Sequence, residues 1–299
     1  FYSIILIANL FSQEEINKLM KRKLIINADD FGLHSAINEG IIVGHTKGAI
    51  TSTSILASGA AFNEAVDMAK EYPKLGIGIH IALVGGIAPV SDPSEIPSLV
   101  TNEGVFVDNY IEFMKRIYSG SINYDEVRTE ITNQVSKIME SGVNVTHIDG
   151  HQHMHVLPSI LPIVLEQAMR YKIKAIRVPN EKITFLNGVN NPVRIMGKCG
   201  LSTVAAQALP IIRDKGIYFT QYFWGMINGG ALGETELLSI LKQVSSLSGA
   251  HEIMTHPGIS DEILRKQYNW GYHWQDELSA MTSDNVRRYI SQHNIELIN

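Results

Sequence analysis

The feature that most limits the fold is an alternation. From about Leu24 onward, short apolar runs that end in polar side chains take turns with longer amphipathic stretches. "KLIINADD" precedes "AINEGIIVGHTKG", "AITSTSILA" precedes "FNEAVDMAKEYP", and "LGIGIHIAL" stands as a third short run. Further on come "VRTEITNQVSKIMES", "VNVTHID", "LPSILPIVLEQAMRY", "IKAIRVP", "IYFTQYFW", "ETELLSILKQVSS" and "AHEIMTHPG". Length and flanking turn residues make the short runs strands, and the longer ones carry helical spacing. Asn63 is expected to cap the second helix and Pro73 to end it. Strands alternating with helices of this length build βα units around a parallel sheet. About seven strands, with no dinucleotide fingerprint after the first, favour an α/β barrel over an open nucleotide-binding sheet.

A chain of 299 residues can form such a barrel undivided. The expected organisation is an N-terminal extension, 1–22, of unassigned role, followed by one domain over 23–299. "FYSIILIANLF" is too short to span a bilayer and lacks the basic start and cleavage site of a signal peptide. The net charge of −5, without a long basic run, gives no footprint for nucleic acid. The single cysteine, Cys199, excludes an internal disulfide framework and fits a reducing compartment. The expectation is a cytoplasmic protein with no nucleic-acid or membrane partner, and a homodimer is compatible with it. The glycosylation sequon "NVT" at 144–146 falls in an expected strand and reads as chance.

The polar residues on this map collect at strand ends. Asp29 and Asp30 end the first strand, His80 sits late in the third, Asp149 and His151 end the next, Arg177 ends "IKAIRVP", and His256 ends "HEIMTHP". In a parallel barrel those ends converge on one face, where active sites lie. Each residue has a plainer reading. The aspartates could form a turn, and His80, between Ile79 and Ile81, could be a satisfied core histidine. In "THIDGHQHMH" the alternate positions His147, Asp149, His151, His153 and His155 would share a face if fully extended. Gly150 is expected to break that regularity, so that two of them serve the site and the others orient ligands or face solvent. His34, His45, His251, His273 and His293 have no such placement and read as structural.

Taken together, the strand-end residues have the composition of a mononuclear hydrolytic centre, which uses three protein ligands and an open position. Asp30, His80 and His151 would supply one carboxylate and two imidazoles from three strands. Imidazole favours zinc or another transition ion, whereas the carboxylate also accepts magnesium. Asp29 could act as general base, Arg177 could pair with that carboxylate bidentately, and His256 could protonate a leaving group.

The blocks "LIINADDFGLHSAINEGI", "TSTSILASG", "GIGIHIAL", "THIDGHQHMHVLP", "IRVPNE" and "IMTHPG" resemble, in that order, the YdjC-like carbohydrate deacetylases, which include the chitooligosaccharide deacetylases. The resemblance runs from about Leu24 to Pro257. It implies a distorted TIM-like (β/α) barrel, one divalent ion (Mg²⁺ or Zn²⁺) and removal of acetyl groups from N-acetylated sugars, so that the partner is a small acetylated carbohydrate. It also implies a metal held by an aspartate of the first block and two histidines, which map to Asp30, His80 and His151. Asp30 is preferred to Asp29 as the ligand by analogy with polysaccharide deacetylases, in which the first Asp of a pair is the base. "VSDPSEIPSLVTNEGVF" and "ITFLNGVNNPVRIMGKCG" read as variable, substrate-facing loops. Two rival readings are another metal hydrolase, such as a phosphoesterase, and a non-catalytic sugar-binding protein with a structural metal. The second would use Tyr218, Phe219, Tyr222, Phe223 and Trp224 as a stacking surface, although their alternation suits a core strand.

Overall fold

The computed structural model describes residues 21–299, so nearly all of the expected N-terminal extension lies outside the described residues. The chain alternates strand and helix as its patterning predicts. Strands β1 (Arg22–Phe31), β2 (Ser52–Ile55), β3 (Gly76–Ile81), β4 (Val145–Gly150), β5 (Ala175–Ile176), β6 (Tyr222–Trp224) and β7 (Gly249–Thr255) form one sheet in the order β5-β4-β3-β2-β1-β7-β6. Every pairing among them is parallel. A short β8 (Ile295–Leu297) pairs with the first residues of β1. The sheet curls round so that the residues ahead of β6 reach β5. Ala175 and Tyr218 form a parallel bridge, with Tyr218 N donating to Lys174 O at 2.7 Å and Ile176 N to Tyr218 O at 2.9 Å. The result is the distorted barrel expected. "IYFTQYFW" forms strand only at Tyr222–Trp224, because the seam needs a single bridge at Tyr218.

Helices cover the outside: α1 (Ser35–Lys47), α2 (Phe62–Glu71), α3 (Tyr110–Tyr118), α4 (Tyr124–Glu140), α5 (Leu161–Arg170), α6 (Pro192–Asp214), α7 (Glu234–Ser246), α8 (Asp261–Arg265), α9 (Trp274–Thr282) and α10 (Asp284–Gln292). Asn63 does not cap α2, which starts one residue earlier behind Ala61 with no side-chain cap bond. Pro73 follows its end as expected. The segment read as a variable loop from Ile183 to Gly200 becomes helix from Pro192, capped by Asn191 Oδ1, which accepts from Val193 N and Arg194 N.

Strand alternation divides the chain's chemistry. On β1, Leu24, Ile26 and Ala28 are fully buried in the apolar core, whereas Asn27 and Asp29 occupy the alternate positions. The same parity gives Ser52 and Ser54 on β2, His80 on β3, His147 and Asp149 on β4, and Glu252 on β7. Branched apolar layers usually fill a barrel of this kind. Here polar side chains meet inside it instead. The strand glycines make room for them: a Cβ at Gly78 would stand 2.2 Å from His147 Nε2.

Candidate metal centre

Two successive residues of a strand ordinarily point to opposite faces, yet Asp29 and Asp30 both serve the barrel mouth. The cause is local. The β1–β2 register shifts between Ala28 and Phe31, and Asp30 adopts a left-handed backbone with φ 70°. A bulge of this kind re-aims a side chain. Asp29 therefore meets Arg177, while Asp30 turns towards the histidines. Asp30 Oδ1 lies 3.4 Å from His80 Nε2 and 3.0 Å from His151 Nδ1. Potential ligand atoms of these three buried residues all lie within 4.8 Å of one another.

The donor set fits a cation. Asp30 Oδ2 and His151 Nε2 are buried without a hydrogen-bond partner, a costly condition that an ion would relieve. Gly85, with φ 110°, keeps the space beside His151 open, since a Cβ there would stand 2.9 Å from Nε2. His80 is oriented from behind: its Nδ1 lies 2.6 Å from Asp149 Oδ1 and 3.1 Å from Ser54 Oγ, which leaves Nε2 towards Asp30. That is the carboxylate–imidazole arrangement by which an outer residue fixes a metal-ligating histidine. Burial opposes charge on His80, but Asp149 and Asp30 outweigh it and raise its pKa to about 10 in the absence of an ion. Burial likewise opposes the Asp30 carboxylate, and the neighbouring His151 and His80 still hold its pKa well below the usual range.

Asp29, His80 and Asp149 form a second close group, but Arg177 already occupies it. Arg177 Nη1 and Nη2 donate to the two oxygens of Asp29 at 2.6 and 2.7 Å, Nη2 lies 2.9 Å from Asp149 Oδ2, and Nε donates to Glu252 Oε1 at 2.6 Å. Burial works against this guanidinium, and three carboxylates keep it charged. With Asp30 included, four buried carboxylates share one permanent cation, so the interior favours further positive charge.

The six residues given a ligand, base, acid or pairing role from the sequence all contribute to this region. Asp29, His80, His151 and His256 line one cleft, and Asp30 and Arg177 stand directly behind it. His256 N donates to Glu277 Oε2 at 2.5 Å, and its buried Nδ1, 3.8 Å from the same oxygen, has no hydrogen-bond partner. Of the two roles expected for the rest of the histidine motif, orienting ligands or facing solvent, Asp149 takes the first, whereas His147, His153 and His155 are largely enclosed. His147 packs inside the barrel beside Gly78, and His155 Nε2 lies 2.9 Å from Arg177 O. His153 is buried and lines the cleft. The strand ends at Gly150, and the chain reverses through the left-handed pair Gln152 (φ 49°) and His153 (φ 62°). Gln152 Oε1 ties that turn to α3 by accepting from Tyr110 N at 2.8 Å.

Sequence reasoning missed Glu252 and Glu277 as buried anchors and an aromatic wall, and it did not pair Asp149 with His80 in particular. In "YNWGYHW", Trp270 packs against His151 with ring centroids 4.9 Å apart, and Tyr272 against His256 at 4.8 Å. Alternating aromatics in a polar stretch were the available signal. Of the aromatics considered as a sugar platform, Phe223 and Trp224 are core residues.

A barrel with a buried Asp–His–His cluster at its strand ends defines a metal-dependent hydrolase. The sequence model of one family, described as YdjC-like protein, matches residues 23–292, and the chain belongs to that family. A carbohydrate deacetylase of Brevibacillus brevis is 31% identical over 278 residues, covering 92% of this chain and 97% of the relative. A carbohydrate deacetylase of Thermoanaerobacter pseudethanolicus is 32% identical over 279 residues, with 92% and 97% covered. Among solved structures, a candidate cellobiose-phosphate cleavage protein of Enterococcus faecalis V583 superposes with a TM-score of 0.75 at 28% identity, covering 93% of this chain and 97% of that one. Family and site together support a metal-dependent hydrolase acting on sugars.

Proposed function

We propose that the protein removes acetyl groups from N-acetylated small carbohydrates. The observation that carries this reading is the position of Asp29, held by both Nη groups of Arg177 beside the Asp30–His80–His151 cluster, with His256 lining the same cleft. A divalent ion in that cluster would supply Lewis-acid polarisation of the acyl carbonyl and acidify water. Two imidazoles and one carboxylate suit zinc or another transition ion better than magnesium.

The chain's own residues account for the proton transfers. Asp29 Oδ1 accepts from Asn27 Nδ2 at 2.9 Å and from Arg177, whereas Oδ2 accepts from Arg177 alone. A carboxylate oxygen offers two lone-pair directions. Oδ2 therefore keeps one for the proton of the attacking water. His256 supplies a proton to the departing nitrogen, and Glu277 fixes its backbone. Arg177 keeps the base in place through the reaction, and Trp270 and Tyr272 form the wall against the histidines. The relatives named as carbohydrate deacetylases support the same reaction.

The test is to incubate metal-loaded protein with N-acetylated mono- and disaccharides and measure released acetate, with Asp29→Asn as control. Acetate release by wild type and its loss in the variant are expected. No acetate from any of these sugars would overturn the reading.

A further inference from the structure

Beyond the metal cluster, the cleft of about 510 Å³ continues as an arm between α3 and α6. Tyr110, Met114 and Tyr118 of α3, Leu157, and Leu201 and Val204 of α6 form its walls. The two helices approach closely: a Cβ at Gly197 would stand 3.1 Å from Tyr110 Oη. Among the described residues lining the whole cleft there is no Glu, Asn, Ser or Thr, and the one Asp is Asp29. Apart from the hydroxyls of Tyr110 and Tyr118 and the exposed Arg194, the polar side chains near the arm are already engaged. Gln152 is bonded to Tyr110 N and Asp108 O, and Lys198 Nζ to Glu181 and to the carbonyls of Lys182 and Phe185. Arg194 donates to Gly229 O.

A second sugar would bring hydroxyl groups into an arm with few side chains free to receive them, and a buried polar group without a partner weakens binding. Apolar surface also continues outward from the arm. Tyr118 is 83% exposed, and on α6 Val193 is 61% and Met196 70% exposed. Because the arm is continuous with the cleft that His80, His151 and His256 line, its occupant is the remainder of whatever molecule reacts there.

We propose that this arm binds an apolar aglycone, so that the substrate class is an N-acetylated sugar carrying an alkyl or aryl group that points away from the metal. The sugar end of this inference rests on the deacetylase reading; the apolar end does not.

The experiment compares methyl and hexyl β-glycosides of N-acetylglucosamine and diacetylchitobiose, using the metal-loaded full chain. Calorimetry gives affinity and acetate release gives turnover. Each buried methylene is worth roughly fourfold, so partial burial of the hexyl chain should tighten binding about 30-fold over the methyl glycoside. Leu201→Asp should bring that ratio towards one. Val204→Ser, a milder change, should reduce it in a protein with an unchanged melting profile. Equal affinity for the two glycosides would overturn the proposal, as would tighter binding of diacetylchitobiose than of the hexyl glycoside. A hexyl preference that the variants abolish, with no acetate released, would uphold the arm and refute deacetylation. Acetate release without the preference would do the reverse.

Discussion

Replacing Asp149 with Asn isolates the support behind the metal centre without touching a proposed ligand. Asp149 is fully buried; Oδ1 lies 2.6 Å from His80 Nδ1 and Oδ2 lies 2.9 Å from Arg177 Nη2. Asn retains nearly the same shape and can still accept from His80, but the charge that makes the imidazole a better donor to an ion is lost. Removing an outer partner of this kind typically costs about 10- to 100-fold in metal affinity, or about 1.4 to 2.7 kcal/mol. Arg177 keeps Asp29 and Glu252, so the buried guanidinium is not abandoned, although the Asn amide then faces Nη2 donor to donor where Asp149 Oδ2 stood. The fold should therefore survive, and a cooperative thermal melt of the metal-free variant checks that it does. The assay is a competition titration of zinc against a chelator of known affinity, wild type beside Asp149→Asn. A folded variant whose zinc affinity lies within about twofold of wild type, well short of that outer-partner effect, would refute the assignment of His80 as an oriented ligand.

Other consequences concern catalysis and pH. Asp29→Asn should bind metal normally but lose about 100- to 10,000-fold in turnover, the usual cost of a missing general base; loss of metal instead would exchange the roles of Asp29 and Asp30. His256→Ala should impair cleavage of an N-acetyl sugar far more than that of an acetyl ester with an activated phenolic leaving group, because only the amine needs protonation to depart. An equal loss on both substrates would assign His256 a structural role. Burial lowers the pKa of His155 to about 4 and that of His153 well below its ordinary value. From about pH 6.5 down to about 4, the unfolded chain thus takes up a proton that His155 in the fold does not, and burial gives His153 an effect of the same sign. The metal-free protein should lose about 1.4 kcal/mol per pH unit from His155 across that window. Urea denaturation at pH 6.5, 5.5 and 4.5 measures this, and a pH-independent midpoint would show that both rings are charged in the fold.

The strands and the site were largely legible because both depend on local pattern. Apolar runs ending in Asp29–Asp30, His80, Asp149, Arg177 and His256 place functional groups wherever parallel strands stop. What was hidden depends on three-dimensional detail. Alternation predicts that Asp29 and Asp30 face opposite ways; only the left-handed backbone at Asp30 brings both to the site. Asp149 and His151 look equivalent in "HIDGH", and only their contacts separate the orienting residue from the ligand candidate. The first turns of α6, from Pro192 to Gly200, read as loop in the sequence because Gly197 and Gly200 dilute the helical signal there, although neighbouring structure sustains it. Glu252 carried a usable signal, an acid inside the apolar run "HEIMT", but its partner Arg177 is 75 residues away in sequence.

The proposed chemistry depends on Asp30, His80 and His151 holding one divalent ion. Metal content per chain, determined by elemental analysis after zinc loading and desalting, tests it most directly in wild type, His80→Ala and His151→Ala. One ion per wild-type chain and little in either variant is expected, with both variants still folded. Full occupancy in both variants would contradict that ligand set.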